Sequence, residues 1–150
     1  MGFNIVLFEP EIPNNTGNIG RLVLATNSVL HLVGPLGFEL TDSKLKRAGL
    51  DYWKYLSLEF YNNIEEFFSI HGDKNLAYLS SHASKSHHEI PFEENMFMVF
   101  GKESTGLPKD IIEKNAYRSF RIPIYNKKIR SLNLSNAVSI VIYEGLKNLK

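Results

Sequence analysis

Ile122-Pro123-Ile124-Tyr125-Asn126-Lys127-Lys128-Ile129-Arg130-Ser131-Leu132-Asn133-Leu134-Ser135-Asn136-Ala137 is the stretch on which the reading of this chain turns. A basic loop runs straight into a polar helix cap. Asn133, Ser135 and Asn136 offer more hydrogen-bonding groups than capping alone requires, so the surplus suggests a ligand. The residues that follow are ambiguous, because Val138, Ile140, Val141 and Ile142 are β-branched and suit a buried strand by propensity. Their spacing decides for a helix: Leu134, Val138, Val141, Ile142, Gly145 and Leu149 fall on one face, with Asn133 as cap.

Upstream, strand-like apolar runs recur at Phe3 to Phe8, Val29 to Val33, Leu56 to Phe60, Leu76 to Ser80, Met96 to Phe100 and Ser119 to Ile122. Helical stretches alternate with them. Gly17 to Asn27 is expected to follow a Thr16 N-cap, Ser43 to Ala48 to follow Asp42 and stop at Gly49, Asn63 to His71 to stop at Gly72, and Pro108 to open a short helix. This alternation predicts an α/β fold in one domain, 1–150, with a mostly parallel sheet, helices on its faces and ligands beyond the strand C-termini. Ser81 to Pro91 is the one long polar stretch and reads as a mobile loop.

Composition narrows the class. A chain of 150 residues buries roughly 68 to 70% of its unfolded surface, so it needs no staples. It has no cysteine, which excludes disulfides and thiolate metal sites and makes the cytoplasm the default compartment. The Met1 to Val6 start has neither a basic n-region nor a myristoylation pattern, and no apolar run is long enough to span a membrane. Net charge is +1, but residues 117–150 hold seven basic residues against Glu144 alone, a balance of +6 that leaves −5 for the rest. A basic end of this kind suits either phosphates or plain solvation.

Two further segments carry candidate chemistry. Phe100-Gly101-Lys102-Glu103-Ser104-Thr105-Gly106-Leu107-Pro108 superficially offers a nucleoside triphosphate loop. Leu107-Pro108 stands where that loop needs Lys-Ser/Thr, and Glu103 puts negative charge where phosphates would sit. A neutral nucleoside bearing a positive centre suits it better, because Gly101 and Gly106 let backbone approach a base. Pro13-Asn14-Asn15-Thr16-Gly17-Asn18-Ile19-Gly20-Arg21 leads from the first strand into a helix. It reads as a capped turn, and Arg21 in a first helical turn opposes the helix dipole unless an outside phosphate compensates it.

In this order and near these spacings, the three segments resemble the motifs of the SPOUT methyltransferases: N-T-G-N-I-x-R, G-x-E-x-x-G-L-P, and I-P-x-(loop)-R-S-L-N-L-S-N-A. The likeness covers essentially the whole chain. Glu9-Pro10-Glu11-Ile12-Pro13, Gly37-Phe38 and Arg47-Ala48-Gly49-Leu50-Asp51-Tyr52 also resemble the minimal branch that methylates the wobble ribose of tRNA. Asn14 departs from a frequent proline and Ser28 from a frequent glycine.

The resemblance implies a C-terminal deep trefoil knot that holds S-adenosylmethionine bent, despite the general rarity of knots. It places Leu79, Gly101, Gly106, Ile122 and Ser131 around the cofactor, with Leu132 and Leu134 behind them. It sets Arg21 against the RNA, and Glu103, Ser135 and Asn136 complete the catalytic site. It implies methylation of the tRNA wobble ribose, cytidine or modified uridine, by a homodimer whose Arg21 serves the partner's pocket. Alternatives are another tRNA or rRNA ribose, a non-catalytic RNA-binding module, or a flavodoxin-like nucleotide binder. The reaction needs no metal, since a sulfonium already makes its methyl electrophilic. Arg21, always protonated, is a poor base and suits phosphate holding and alkoxide stabilisation. His82, His87 and His88 lie in a seemingly solvated loop with no cysteine and unfamiliar spacing, so no metal is assigned to them. His31 and His71 read as structural, and Tyr52-Trp53 and Phe67-Phe68 as packing groups rather than base-stacking ones.

Overall fold

A computed structural model describes residues 2–40 and 52–149. The expected helix from Ser43 to Ala48, and the motif up to Asp51, lie outside the described residues. Seven parallel strands form one sheet: β1 (Asn4–Phe8), β2 (Val29–Val33), β3 (Leu58–Tyr61), β4 (Leu76–Leu79), β5 (Lys85–Ser86), β6 (Phe97–Phe100) and β7 (Ser119–Arg121). Their order is β3-β2-β1-β6-β4-β7-β5, and every pairing is parallel. Among the described residues four helices accompany them, α1 (Pro13–Ala25), α2 (Ile64–His71), α3 (Lys109–Lys114) and α4 (Leu134–Asn148).

Alternation along β1 divides the core into two layers. Ile5 and Leu7 pack with Ile19 and Val23 of α1 and Val138, Val141 and Ile142 of α4. Val6 and Phe8 face the other way, against Phe67 of α2 and Ile111 of α3. Both faces are therefore covered, which is why these strands read as continuous apolar runs. Burying an aliphatic or aromatic side chain of this kind contributes roughly 1.5–3 kcal/mol. The β-branched C-terminal stretch is helical, as its spacing requires, and Asn133 Oδ1 accepts from the Ser135 and Asn136 amides at its start. Ser28, in place of the frequent glycine, is buried and accepts from the Phe3 amide at 3.0 Å.

Two local expectations are corrected. Helix α1 begins at Pro13, preceded by extended Ile12, and not after Thr16. Proline's fixed φ and missing N–H suit the first helical position, so Pro13 outcompetes Thr16 as the start; Thr16 is buried within the helix. Ser81 to Pro91 is not a structureless loop. It supplies edge strand β5 and a 3₁₀ turn, His87–Glu89, closed by a Ser86/Glu89 capping box. Reciprocal side-chain and backbone bonds satisfy the amides that a polar composition suggested were solvated.

Candidate active site

Parallel pairing brings the carboxyl ends of three neighbouring strands together: Leu79 pairs with Phe100 on one side and Phe120 on the other. Leu79, Gly101 and Ile122 thus end three adjacent strands, although 43 residues separate Leu79 from Ile122 in the chain. Leu79 and Phe100 are buried in one apolar cluster, with Ile122 and Leu134 packed against it. The loop after β6 closes through the Gly106 amide donating to the Lys102 carbonyl at 2.8 Å. A Cβ on Gly101 would lie 2.1 Å from backbone atoms of Gly106 and Leu107, so the loop crosses over that residue at contact. Gly106 has φ +74°, and a Cβ there would meet nothing within 4 Å. The loop thus leaves an opening at Gly106.

Glu103 faces α1. Its carboxylate accepts from the Glu11 amide at 2.8 Å, the Ile12 amide at 2.9 Å and Asn15 Nδ2 at 3.3 Å. Glu11 reciprocates, accepting from the Ser104 amide at 2.8 Å, and the Ser104 side chain, followed by that amide, holds its carboxyl below the usual carboxylate range. Asn15 Oδ1 in turn accepts from Asn133 Nδ2 at 3.0 Å. Asn133 Oδ1 takes the Ser135 amide at 3.0 Å and the Ser135 hydroxyl at 2.6 Å. One chain of bonds therefore runs from the second motif, through the first, into the third, and fixes Glu103, Ser135 and Asn136 relative to one another. Asn15 and Glu11 were not singled out from the sequence. Asn15 was visible as a polar residue near a helix start, but its partners lie 88 and 118 residues away.

At the α1 N-terminus the Glu103 carboxylate takes the amides of Glu11 and Ile12, just before the helix, at the end that the helix dipole makes positive. Arg21 lies eight residues beyond Pro13 and is exposed, so the dipole argument for an outside anion does not apply to it. The residue's surroundings supply a different one. Among the described residues no carboxylate pairs with Arg21, and its guanidinium lies 6.0 Å from the centroid of the Tyr52 ring. Tyr52 is anchored by its hydroxyl donating to the Gly17 carbonyl. Arg21 is six residues from Asn15, and at about 100° per residue it projects roughly 120° away from the Glu103–Asn133 seam.

Between β7 and α4, Lys127, Lys128, Arg130 and Ser131 are exposed, and Leu132 is half-buried. Tyr125 (94% exposed) and Ile129 add apolar surface to the same loop. Cations beside an open aromatic ring suit a nucleic-acid strand. His31 is buried, bonded to Tyr61 Oη and Asn4 Oδ1, each at 2.8 Å, while Tyr61 Oη also meets His71 Nε2 at 2.9 Å. Burial, then the neighbouring His71, lowers the His31 pKa to about 4, and burial pushes Tyr61 up to about 12. Both histidines are structural, and Phe67 and Phe68 pack against Phe8.

The sequence pattern of the SpoU rRNA Methylase family matches residues 2–143. A tRNA (cytidine(34)-2'-O)-methyltransferase of Saccharophagus degradans is 47% identical over 148 residues, 98% of this chain and 96% of that one. A solved structure concerned with "the 2-OH methylation of C/U34 on tRNA" shares 37% identity, with a TM-score of 0.89 over 97% of this chain and 94% of its own. The fold also matches an AdoMet-bound rRNA methyltransferase from Sinorhizobium meliloti, with a TM-score of 0.85 at 22% identity, over 98% of this chain and 56% of that one. With its motifs joined beyond the ends of parallel β1, β6 and β7, the chain belongs to the SpoU rRNA Methylase family.

Proposed function

We propose that this chain transfers the methyl group of S-adenosylmethionine to the ribose 2′-oxygen of the wobble nucleotide, cytidine or modified uridine, in tRNA. The observation that carries the reading is the bond chain Glu103–Asn15–Asn133–Ser135, which assembles three distant motifs beyond the carboxyl ends of β1, β6 and β7. Near-full-length identity to a protein named for this reaction supports the substrate.

The residues fit the cofactor. Leu79, Ile122 and Leu134 share one apolar cluster at these strand ends, there is open space beside Gly106, and Gly101, Ser131 and Leu132 would complete the cofactor's surroundings. When bound, S-adenosylmethionine supplies an electrophilic methyl on a sulfonium and departs as S-adenosylhomocysteine. On the protein side, the ribose hydroxyl would release its proton to solvent as it takes the methyl group. Arg21 holds the adjoining phosphate and stabilises charge developing on the 2′-oxygen. Ser135 and Asn136, fixed by Asn133, orient the ribose, and Glu103 holds the helix that carries Arg21. Transfer requires no metal, because positioning and proton loss are what the protein must supply.

Because Arg21 projects away from the seam of its own chain, it serves the pocket of a second copy, and the enzyme works as a homodimer. Lys127, Lys128 and Arg130 grip the anticodon stem-loop. Among the described residues no helix is long and apolar enough to cross a membrane, and a tRNA substrate places the enzyme in the cytoplasm. The test is to incubate purified protein with S-adenosylmethionine and unmodified tRNA and to map methylation by mass spectrometry. A 2′-O-methyl group at position 34 is expected; methylation only at another ribose would overturn the substrate, and none at all the activity.

A further inference from the structure

The turn after β5 lies against the distal half of α4, and there His87, His88 and Glu144 meet. One ligand atom from each lies within 4.8 Å of the others, and among the described residues this is the one such group. His87 is 5% exposed, and its Nδ1 is buried without a hydrogen-bond partner. A buried ring nitrogen without a partner is rare and needs an explanation, and in its unprotonated form it is a donor atom for an ion. The other imidazole, His88, is exposed, and its Nδ1 sits 3.2 Å from Glu144 Oε2. The two rings are 4.1 Å apart, centroid to centroid.

We propose that His87, His88 and Glu144 form a binding site for a divalent transition-metal ion of the zinc type, separate from the methyl-transfer site. Two imidazoles and one carboxylate are the donor set such an ion takes, with water in the fourth position, whereas magnesium and calcium prefer oxygen alone. Bonds of about 2.0–2.2 Å at tetrahedral angles put ligand atoms roughly 3.4 Å apart, close to the 3.2 Å between His88 and Glu144. Glu144 is eleven residues along α4 from Asn133, about 16 Å at 1.5 Å per residue. The ion therefore joins the edge-strand turn to the C-terminal helix and does not enter the transfer site. His82, in the same segment, is not part of the group.

Calorimetry of untagged, EDTA-treated protein with zinc chloride tests this, with melting temperature followed in parallel. One zinc per chain and a zinc-dependent rise in melting temperature are expected, with no heat from magnesium chloride. His88→Ala and Glu144→Gln, both at the surface, should each weaken zinc at least tenfold while keeping wild-type circular dichroism, and His82→Ala should leave it unchanged. Absence of zinc binding to the wild type overturns the proposal. So does unaltered binding by the His88→Ala/Glu144→Gln double variant, or loss of binding through His82→Ala alone.

Discussion

Asn15 and Asn133 stand 118 residues apart in the chain and are joined side chain to side chain, Nδ2 of Asn133 donating to Oδ1 of Asn15 at 3.0 Å. Asn15 spends its own amide on Glu103, so this one residue couples the starts of α1 and α4 to the loop after β6. Replacing it with alanine strands a donor on Asn133 and removes one of the Glu103 donors. Asn15→Ala should cost about 1–3 kcal/mol of stability by denaturant titration. It should lower kcat/KM for methyl transfer at least tenfold, because Ser135 and Asn136 lose their fixed register to Glu103.

Gly101 tests the loop in a different way. A methyl group there would sit 2.1 Å from the backbone of Gly106 and Leu107. Gly101→Ala should therefore displace the Gly106 crossing and weaken S-adenosylmethionine binding more than tenfold in calorimetry on EDTA-treated protein. Unchanged affinity would remove this loop from the cofactor pocket.

The pH dependence of folding should report His31. Its pKa is about 4 in the folded protein against 6.5 when exposed, so the unfolded chain binds the extra proton first. The stability from the neutral ring is complete above pH 6.5 and falls as pH drops towards 4, by about 3 kcal/mol in all. Urea titrations between pH 7.5 and 4.5 should show this loss, and His31→Gln should flatten it.

RNA binding should depend on salt through Lys127, Lys128 and Arg130. Each phosphate contact contributes roughly 0.7–0.9 to the slope of log affinity against log salt. The triple glutamine variant should lose up to about 2 to 3 from that slope when binding a tRNA anticodon stem-loop. If affinity and slope are both unchanged, the basic end is simply a solvated surface.

Shared sites can be tested by mixing subunits. Arg21→Ala removes the proposed phosphate ligand, and Gly106→Val puts a strained side chain into the opening at φ +74°. Each variant should be inactive alone. After subunit exchange, a mixed dimer with shared sites carries one doubly defective site and one intact site, so activity should return towards half per mixed dimer. A mixture that stays inactive despite confirmed exchange would place Arg21 in the pocket of its own chain and leave the methyltransferase assignment standing.

By itself the sequence determined the α/β class, the positions of every strand but β5 to within about two residues and the helical nature of α4, because apolar periodicity is a local property that both faces of the sheet preserve. It also marked the three motif segments, whose glycines and amides are local signals. The tertiary structure decided their use. That Glu103 turns to the α1 amides, that Asn15 reaches Asn133, and that Arg21 points away from both depend on parallel pairing between residues far apart in the chain. The start of α1 at Pro13 and the ordered turn at His87 were missed for a related reason. Several residues can satisfy a helix start or a polar loop locally, and only packing and reciprocal hydrogen bonds select among them. Composition made the histidine segment look solvated, while burial against α4 gave His87 a bare nitrogen and brought it to Glu144.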